Sequence, residues 1–341
     1  MFVIWTKKLR HPERLPTDHC VFTQSSRTVH LAFVRCSVMK QVRATTQPTF
    51  SGSDIGSATV VSPNPTHVVI KPQMPASTSA PAGSVLHGTG PASTLLARDV
   101  AVGFGSRAVL GGVALDFRPQ TITALLGPTG SGKSTFLRSL NRMNDKVKGF
   151  WQTGTITLDA QDIYASGVDP LVVRRRVGMV FQRPNPFPLS IRDNVVAGVR
   201  AHRLAKRSEL TGIAEHYLRL VGLWSAVADR LGDSPFRLSG GQQQLLCLAR
   251  ALAIQPDVLL LDEPTSSLDP VSTEAVEELL RQLVPSLTMV IVTHNLAQAR
   301  RVADKTAFFY DGRLCEVGET AQVLEAPTHE ATARFVTGRI G

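Results

Sequence analysis

The sequence predicts an α/β fold built on a buried sheet, with its polar chemistry gathered at the strand ends. Three observations predict it. An apolar run over residues 121–126 leads straight into Gly127-Pro128-Thr129-Gly130-Ser131-Gly132-Lys133-Ser134-Thr135, after which residues 133–144 read as a helix. Val258-Leu259-Leu260-Leu261 is uninterrupted apolar sequence that ends in Asp262-Glu263, the pattern of a parallel strand covered on both faces. A further buried strand over residues 288–293 delivers His294 at its end.

Strand, glycine-rich loop and helix start, in that order, make a phosphate cradle. The glycines let the backbone wrap an anion without Cβ clashes, so several N–H groups converge on it, and the helix start adds its positive end. Lys133 can reach the β- and γ-phosphates, and Ser134 can offer its hydroxyl to Mg²⁺. The stretch predicts binding of a nucleoside triphosphate.

Composition limits the alternatives. The chain of 341 residues has room for one large domain or two ordinary ones, and 43% of it is apolar. Mean hydropathy is +0.03, and no apolar run approaches the ~20 residues of a membrane span, so any membrane role has to come through a partner. The net charge is +10, but residues 1–90 hold nine Lys/Arg against three Asp/Glu, which is +6 and leaves only +4 for the rest. That is too dilute for a nucleic-acid stripe. The four cysteines show neither CxxC spacing nor a disulfide framework, and fit a reducing cytosol.

Residues 1–92 read as a disordered extension, rich in Ser, Thr, Pro and Gly beyond residue 41 and without a sustained period. Its first five residues are apolar but too few for a signal peptide. The ordered domain is expected over residues 93–341. There, residues 95–104 and 108–117 read as strands joined through Gly105-Ser106, with Phe104 just before the turn; taken alone, an aromatic in a strand is more often core than ligand contact. A hairpin over residues 154–162 and a short basic helix over 171–176 follow, then a strand over 177–181 with Gln182 at its end. Three prolines in Pro184-Asn185-Pro186-Phe187-Pro188 make the next loop rigid. Residues 183–240 are expected to form a small helical subdomain, with Leu210, Ile213, Ala214, Tyr217, Leu218 and Val221 on one buried face. It ends at Leu238-Ser239-Gly240-Gly241-Gln242, where Ser-Gly-Gly opens a helix and makes a second anion-binding N-terminus. One nucleotide rarely needs two such sites, so the second is expected to serve a nucleotide held by another copy of the chain.

Successive strand residues face opposite ways, so Asp262 can hold a metal while Glu263 polarises the attacking water. Asp269 suits a helix N-cap and Pro270 the first helical position, with Ala275, Val276, Leu279, Leu280 and Leu283 expected on the buried face. Residues 306–310 and 313–317 read as a closing hairpin through Asp311-Gly312, followed by two short helices.

This ordered set of phosphate loop, strand-end Gln, Leu-Ser-Gly-Gly-Gln, apolar strand with Asp-Glu, Ser-Ser-Leu-Asp and strand-end His closely resembles the ATP-binding subunit of ABC transporters, over about residues 94–341. Within that superfamily, residues 136–145, Phe181-Gln182-Arg183-Pro184-Asn185-Pro186-Phe187-Pro188, Ser239-Gly240-Gly241-Gln242-Gln243-Gln244 and Thr337-Gly338-Arg339 look like the phosphate-importer ATPase, the PstB type.

The resemblance implies a P-loop NTPase (RecA-like) core with an antiparallel β subdomain and a helical signature subdomain. It implies that Phe104 stacks on adenine and that Gly127, Pro128, Thr129, Gly130, Ser131, Gly132, Lys133, Ser134 and Thr135 hold the phosphates. Ser134, Gln182 and Asp262 would surround Mg²⁺, Glu263 would be the general base and His294 the γ-phosphate sensor. Ser239, Gly240, Gly241 and Gln242 would close over the ATP of the opposite protomer, and Asp269 would communicate across that dimer. Two membrane permease subunits and an extracytoplasmic phosphate-binding protein are the implied partners, with the ATPase peripheral on the cytoplasmic face and no nucleic acid involved. Two positions depart from the pattern. Phe104 stands where Tyr is usual, and Leu245 where Arg often follows the glutamines. Other cargoes, such as phosphonate or polar amino acids, fit the same ATPase. A non-transport ABC protein would carry a coiled-coil insertion or a second core, and neither is present.

Overall fold

The computed structural model describes residues 93–340; the extension predicted over residues 1–92 lies outside the described residues. In chain order the strands are β1 (Leu95–Phe104), β2 (Arg107–Phe117), β3 (Ile122–Leu126), β4 (Phe150–Leu158), β5 (Gln161–Asp162), β6 (Val177–Val180), β7 (Val258–Asp262), β8 (Thr288–Val292), β9 (Lys305–Tyr310) and β10 (Arg313–Glu319). The helices are α1 (Lys133–Ser139), α2 (Pro170–Arg176), α3 (Ile191–Ala201), α4 (Leu210–Leu220), α5 (Trp224–Val227), α6 (Gly240–Ala253), α7 (Pro270–Leu283), α8 (Leu296–Val302), α9 (Thr320–Glu325) and α10 (Glu330–Val336).

Two sheets result. A six-stranded sheet runs β10-β9-β3-β8-β7-β6, parallel throughout except for the β9–β10 hairpin. A four-stranded antiparallel sheet runs β2-β1-β4-β5. All five residues of β3, of β7 and of β8 are buried, as largely apolar strands between two covering layers must be. Alternation divides their side chains. Ala124, Leu126, Leu259, Leu261, Met289 and Ile291 point into one core with α3, α4, α6 and α7, while Leu125, Leu260, Val290 and Val292 point into a second core with α1 and the antiparallel sheet. Phe136 of α1 fills the gap between the sheets, its ring 6.4 Å from Phe117 and 5.4 Å from Phe309.

Four expectations need revision. The helix after the phosphate loop ends at Ser139, not at residue 144. Arg142 adopts a left-handed φ of 61°, which a continuing helix could not accommodate, and Asn144 Nδ2 donates to Thr135 O and Ser139 Oγ, both at 2.9 Å. The hairpin predicted over residues 154–162 starts earlier, at Phe150, because β4 also pairs with β1 along most of its length. Ala275 is exposed, and the buried face of α7 instead includes the carboxylate of Glu277. On α4, Leu210 and Ile213 are only partly buried, whereas Ala214, Tyr217 and Leu218 are fully so.

The C-terminal helices are pinned by one acid. Glu316 of β10 accepts from the Thr328 N–H at 2.8 Å, the Thr328 hydroxyl at 2.9 Å and the His329 N–H at 3.1 Å. Burial alone would raise its pKa, but these donors, the Thr328 N–H foremost, outweigh burial and hold the carboxyl at about 2. The folded value lies below the unfolded one, so the stabilisation is present above the ordinary glutamate pKa and is lost as pH falls toward 2. Glu316→Gln should therefore cost roughly 2 kcal/mol at pH 7, about 4–8 °C in Tm. In melts at pH 7, 5 and 3 the gap to the parent protein should close as the pH falls.

Candidate functional site

The register of the parallel strands sets the site. Leu125 of β3 and Asp262 of β7 both lie opposite Val292 of β8, and Val180 of β6 lies opposite Leu261. The four carboxyl ends are therefore level, and the residues that follow them meet on one edge, the usual ligand-binding edge of an open α/β sheet.

From β3 the chain enters the glycine loop. Gly127 has φ of 140°, and a Cβ built there would overlap the carbonyl oxygen of Phe309 on β9, so no side chain fits. Gly132, at φ 97°, turns the loop into α1, whose first bond runs from the Phe136 N–H to the Gly132 carbonyl. Lys133 is buried and folds back over the loop, its Nζ donating to Gly127 O and Pro128 O at 2.7 Å and to Ser131 Oγ at 3.3 Å. Burial pulls its pKa below the ordinary lysine value, while Glu263 and Asp262 push it back up. Pro128, Thr129, Gly130 and Ser131 also line a cavity of about 310 Å³ whose far wall is Tyr310, Asp311 and Ile340.

The two acids at the end of β7 take different partners. Asp262 is 1% exposed; its Oδ1 accepts from Ser134 Oγ at 2.8 Å and its Oδ2 from Arg138 Nη2 at 3.2 Å. Arg138 was missed by sequence reasoning, although it stands one helical turn after Ser134 and so shares its face. Glu263 occupies a left-handed φ of 45°, a conformation a non-glycine residue keeps only when its surroundings hold it there. Its N–H donates to Val292 O at 3.0 Å. That turn brings its carboxylate between Gln182 Nε2, at 2.8 Å, and His294 Nδ1, at 3.3 Å. Lys133, Ser134, Gln182, Asp262, Glu263 and His294 are thus one cluster, joined from four strand ends.

The remaining candidates lie around it. Phe104 ends β1 half-buried, its ring 5.9 Å from Phe150. Ser239 caps α6 in a reciprocal box with Gln242: the Ser239 hydroxyl accepts from the Gln242 N–H and the Gln242 side chain accepts from the Ser239 N–H. Gly240 and Gly241 form the first turn, and a Cβ on Gly241 would come within 3.1 Å of Leu268. Among the described residues, no hydrogen bond joins this helix start to the glycine loop of the same chain. Asp269 caps α7, accepting from the Ser272 hydroxyl at 2.6 Å and its N–H at 3.0 Å, and these donors lower its pKa. Leu245 is partly buried against the helical core.

The proline loop after Gln182 is clamped from two helices. Arg250 of α6 donates to Asn185 O at 3.0 Å and to Asn185 Oδ1 at 2.7 Å, with its guanidinium 4.2 Å over the Phe187 ring. Asn194 of α3, fully buried, accepts from the Phe187 N–H at 2.7 Å and donates to the Phe187 carbonyl at 3.1 Å. Phe187 nevertheless stays 42% exposed. Neither Arg250 nor Asn194 carries a sequence signal, because each is one polar residue in an ordinary amphipathic helix.

Ser134, Gln182 and Asp262 offer only oxygen donors, from a hydroxyl, an amide and a carboxylate, and this set suits Mg²⁺. Among the described residues no group of three His, Cys, Asp or Glu side chains could cage an ion. A cation here would draw its other ligands from nucleotide phosphate and water.

A family model described as ABC transporter matches residues 110–266. The phosphate import ATP-binding protein PstB of Mycobacterium intracellulare is 59% identical over 263 residues, spanning 77% of this chain and 90% of the relative. The chain belongs to the PstB family of ABC transporter ATP-binding proteins. PstB 2 of Mycobacterium tuberculosis (strain ATCC 25618 / H37Rv) is 58% identical over 250 residues, with 73% and 90% covered. Among solved structures, a bacterial Atm1-family ABC exporter with ATP bound superposes with a TM-score of 0.62 at 25% identity, over 73% of this chain and 42% of the exporter. An ATP binding subunit of an ABC transporter gives 0.61 at 22%, over 72% and 98%, a likeness of fold.

The overlap at Gly127 yields a direct test. Gly127→Ala would push the loop away from β9 and out of the shape that points its N–H groups inward. Binding of a fluorescent ATP analogue should weaken at least about tenfold, with a Tm several degrees lower.

Proposed function

We infer that this chain is the ATP-hydrolysing subunit of an ABC importer that takes up inorganic phosphate. The observation that carries the chemistry is the cluster at the level strand ends, where a buried lysine, a buried aspartate and a doubly held glutamate surround the mouth of a glycine loop. The cargo rests on family membership.

ATP lies with its triphosphate in the loop of residues 127–135 and its adenine against Phe104. Lys133 exchanges its loop carbonyls for β- and γ-phosphate oxygens. Ser134, Gln182 and Asp262 would hold Mg²⁺, which would supply neutralisation of phosphate charge. Arg138 keeps Asp262 oriented from the far side. Glu263 takes a proton from the attacking water as its oxygen bonds to the γ-phosphorus and the bond to the β-phosphate oxygen breaks, giving ADP and phosphate. Gln182 and His294 fix the Glu263 carboxylate, and His294, its side chain 68% exposed, is free to donate to the γ-phosphate.

A second copy completes each site. Ser239, Gly240, Gly241 and Gln242 of one protomer cover the nucleotide of the other, and Asp269 lies at the same interface. The glycines at this capped helix start support the reading, because they leave the N–H groups of its first turn uncovered by side chains. The clamped loop carries the motion outward. Arg250 ties it to the signature helix α6, and exposed Phe187 and Leu189 beside it offer an apolar contact to the two permease subunits. Those subunits receive phosphate from an extracytoplasmic binding protein. No described helix is long and apolar enough to cross a membrane. The relatives' role as import ATP-binding proteins supports a peripheral attachment on the cytoplasmic face.

Two measurements bear on this. Glu263→Gln should keep ATP binding, lose roughly 10²–10⁴ in turnover and accumulate an ATP-dependent dimer on size exclusion; parent-like turnover would remove Glu263 from the base role. In cells whose only copy carries Lys133→Ala and which lack a second phosphate importer, uptake of labelled phosphate at low external phosphate should collapse while amino-acid and phosphonate uptake persist. Normal phosphate uptake in those cells would overturn the cargo assignment.

A further inference from the structure

Glu277 and Gln298 are each 2% exposed and lie outside the cluster described above. Glu277 belongs to α7, the helix that Asp269 caps; Gln298 belongs to α8, the helix that begins just after His294. Gln298 Nε2 donates to Glu277 Oε1 at 3.1 Å and to Thr265 Oγ1 at 2.8 Å. Arg301 closes the carboxylate from the solvent side with two bonds, Nε to Oε2 at 2.6 Å and Nη2 to Oε1 at 2.9 Å.

This arrangement has a direction. An ionised carboxylate only accepts, so the Gln298 amide has to turn its NH₂ toward Glu277, and the second N–H is thereby aimed at Thr265. Thr265 lies in the turn between Glu263 and Asp269. That turn is tight: the Ser266 N–H and hydroxyl both donate to the Glu263 carbonyl, and the Leu268 N–H donates to the Thr265 carbonyl. Toward the other side, the Gln298 N–H donates to Asn295 Oδ1 and the Asn295 N–H to Thr293 Oγ1, both at 3.0 Å, bracketing His294. A single residue thus links the two segments, its side chain reaching the turn that follows Glu263 and its backbone N–H the turn that follows His294.

We propose that Gln298 is a positioning residue for ATP hydrolysis: through Thr265 it keeps the Glu263 turn aligned with His294, and buried Glu277 fixes the amide in the orientation that does so. This rests on the assignment of Glu263 and His294 to the terminal phosphate. The test measures kcat and the Kd for ATP in the purified full chain carrying Thr265→Val, Thr265→Ser, Gln298→Met or Glu263→Gln. Thr265→Val removes the hydroxyl at nearly constant volume on a half-buried turn, so it reports even where Gln298→Met folds poorly. Thr265→Val and Gln298→Met should each lose about tenfold in kcat with Kd changed less than about twofold, and Thr265→Ser should retain more than about half of the parent kcat. Parent-like kcat in Thr265→Val, equal loss of kcat and affinity, or no rescue by serine would overturn the proposal. Glu263→Gln separates the two readings. Parent-like turnover there removes the site assignment itself, whereas its collapse beside an unaffected Thr265→Val removes only the positioning role.

Discussion

The constraint on which the rest depends is the common ending of β3, β6, β7 and β8. Parallel strands buried on both faces cannot carry charged side chains along their length without stranding them away from water. The charged groups are therefore displaced to the strand ends, and the register puts those ends side by side. Leu125 and Asp262 share a level with Val292, so a glycine loop, two carboxylates and a histidine converge although 167 positions separate Gly127 from His294. Shifting one strand by a single residue would exchange its two faces and move Asp262 away from Ser134. Covering the sheet and assembling the site are one requirement.

Within the site, the charged groups that are to meet nucleotide already hold partners of matching character. The Lys133 ammonium sits on two carbonyls, Asp262 receives a hydroxyl and a guanidinium, and Glu263 receives the Gln182 amide with the His294 ring beside it. Buried polar groups left unmatched would cost about 1–3 kcal/mol each. Binding therefore exchanges hydrogen bonds more than it creates them. The side chains begin close to where phosphate, cation and water would need them, so little reorganisation accompanies the chemistry.

Much of this could be read in the sequence, for identifiable reasons. Buried strands announce themselves by composition, helix starts by Ser239, Asp269 and Pro270, and the phosphate loop by glycines whose φ values other residues rarely adopt. What could not be read depends on partners far along the chain. Asn144 reaches back to Thr135 beyond the end of α1, and within residues 136–145 it is Arg138 that turns to Asp262. Glu277 looks like a solvated acid in an amphipathic helix; only the approach of α8 reveals that Arg301 and Gln298 cover it. Arg250 and Asn194 are likewise silent until α3 and α6 close around the proline loop.

That loop shows why rigidity and exposure occur together. Its prolines remove backbone N–H donors, so it cannot be anchored by a ladder, and its anchoring falls to side chains: the Arg250 fork on Asn185 and the Asn194 amide on Phe187. With the backbone held, the Phe187 ring has one face under the Arg250 guanidinium and the other open. A ring fixed in this way loses little conformational entropy when a partner covers it, which favours contact with a permease over collapse onto its own subunit. The same guanidinium belongs to the helix that Ser239 opens. On the function proposed above, a displacement of that helix as a second copy closed over nucleotide would move the aromatic contact with it, and one helix and one loop would link the chemistry to the membrane.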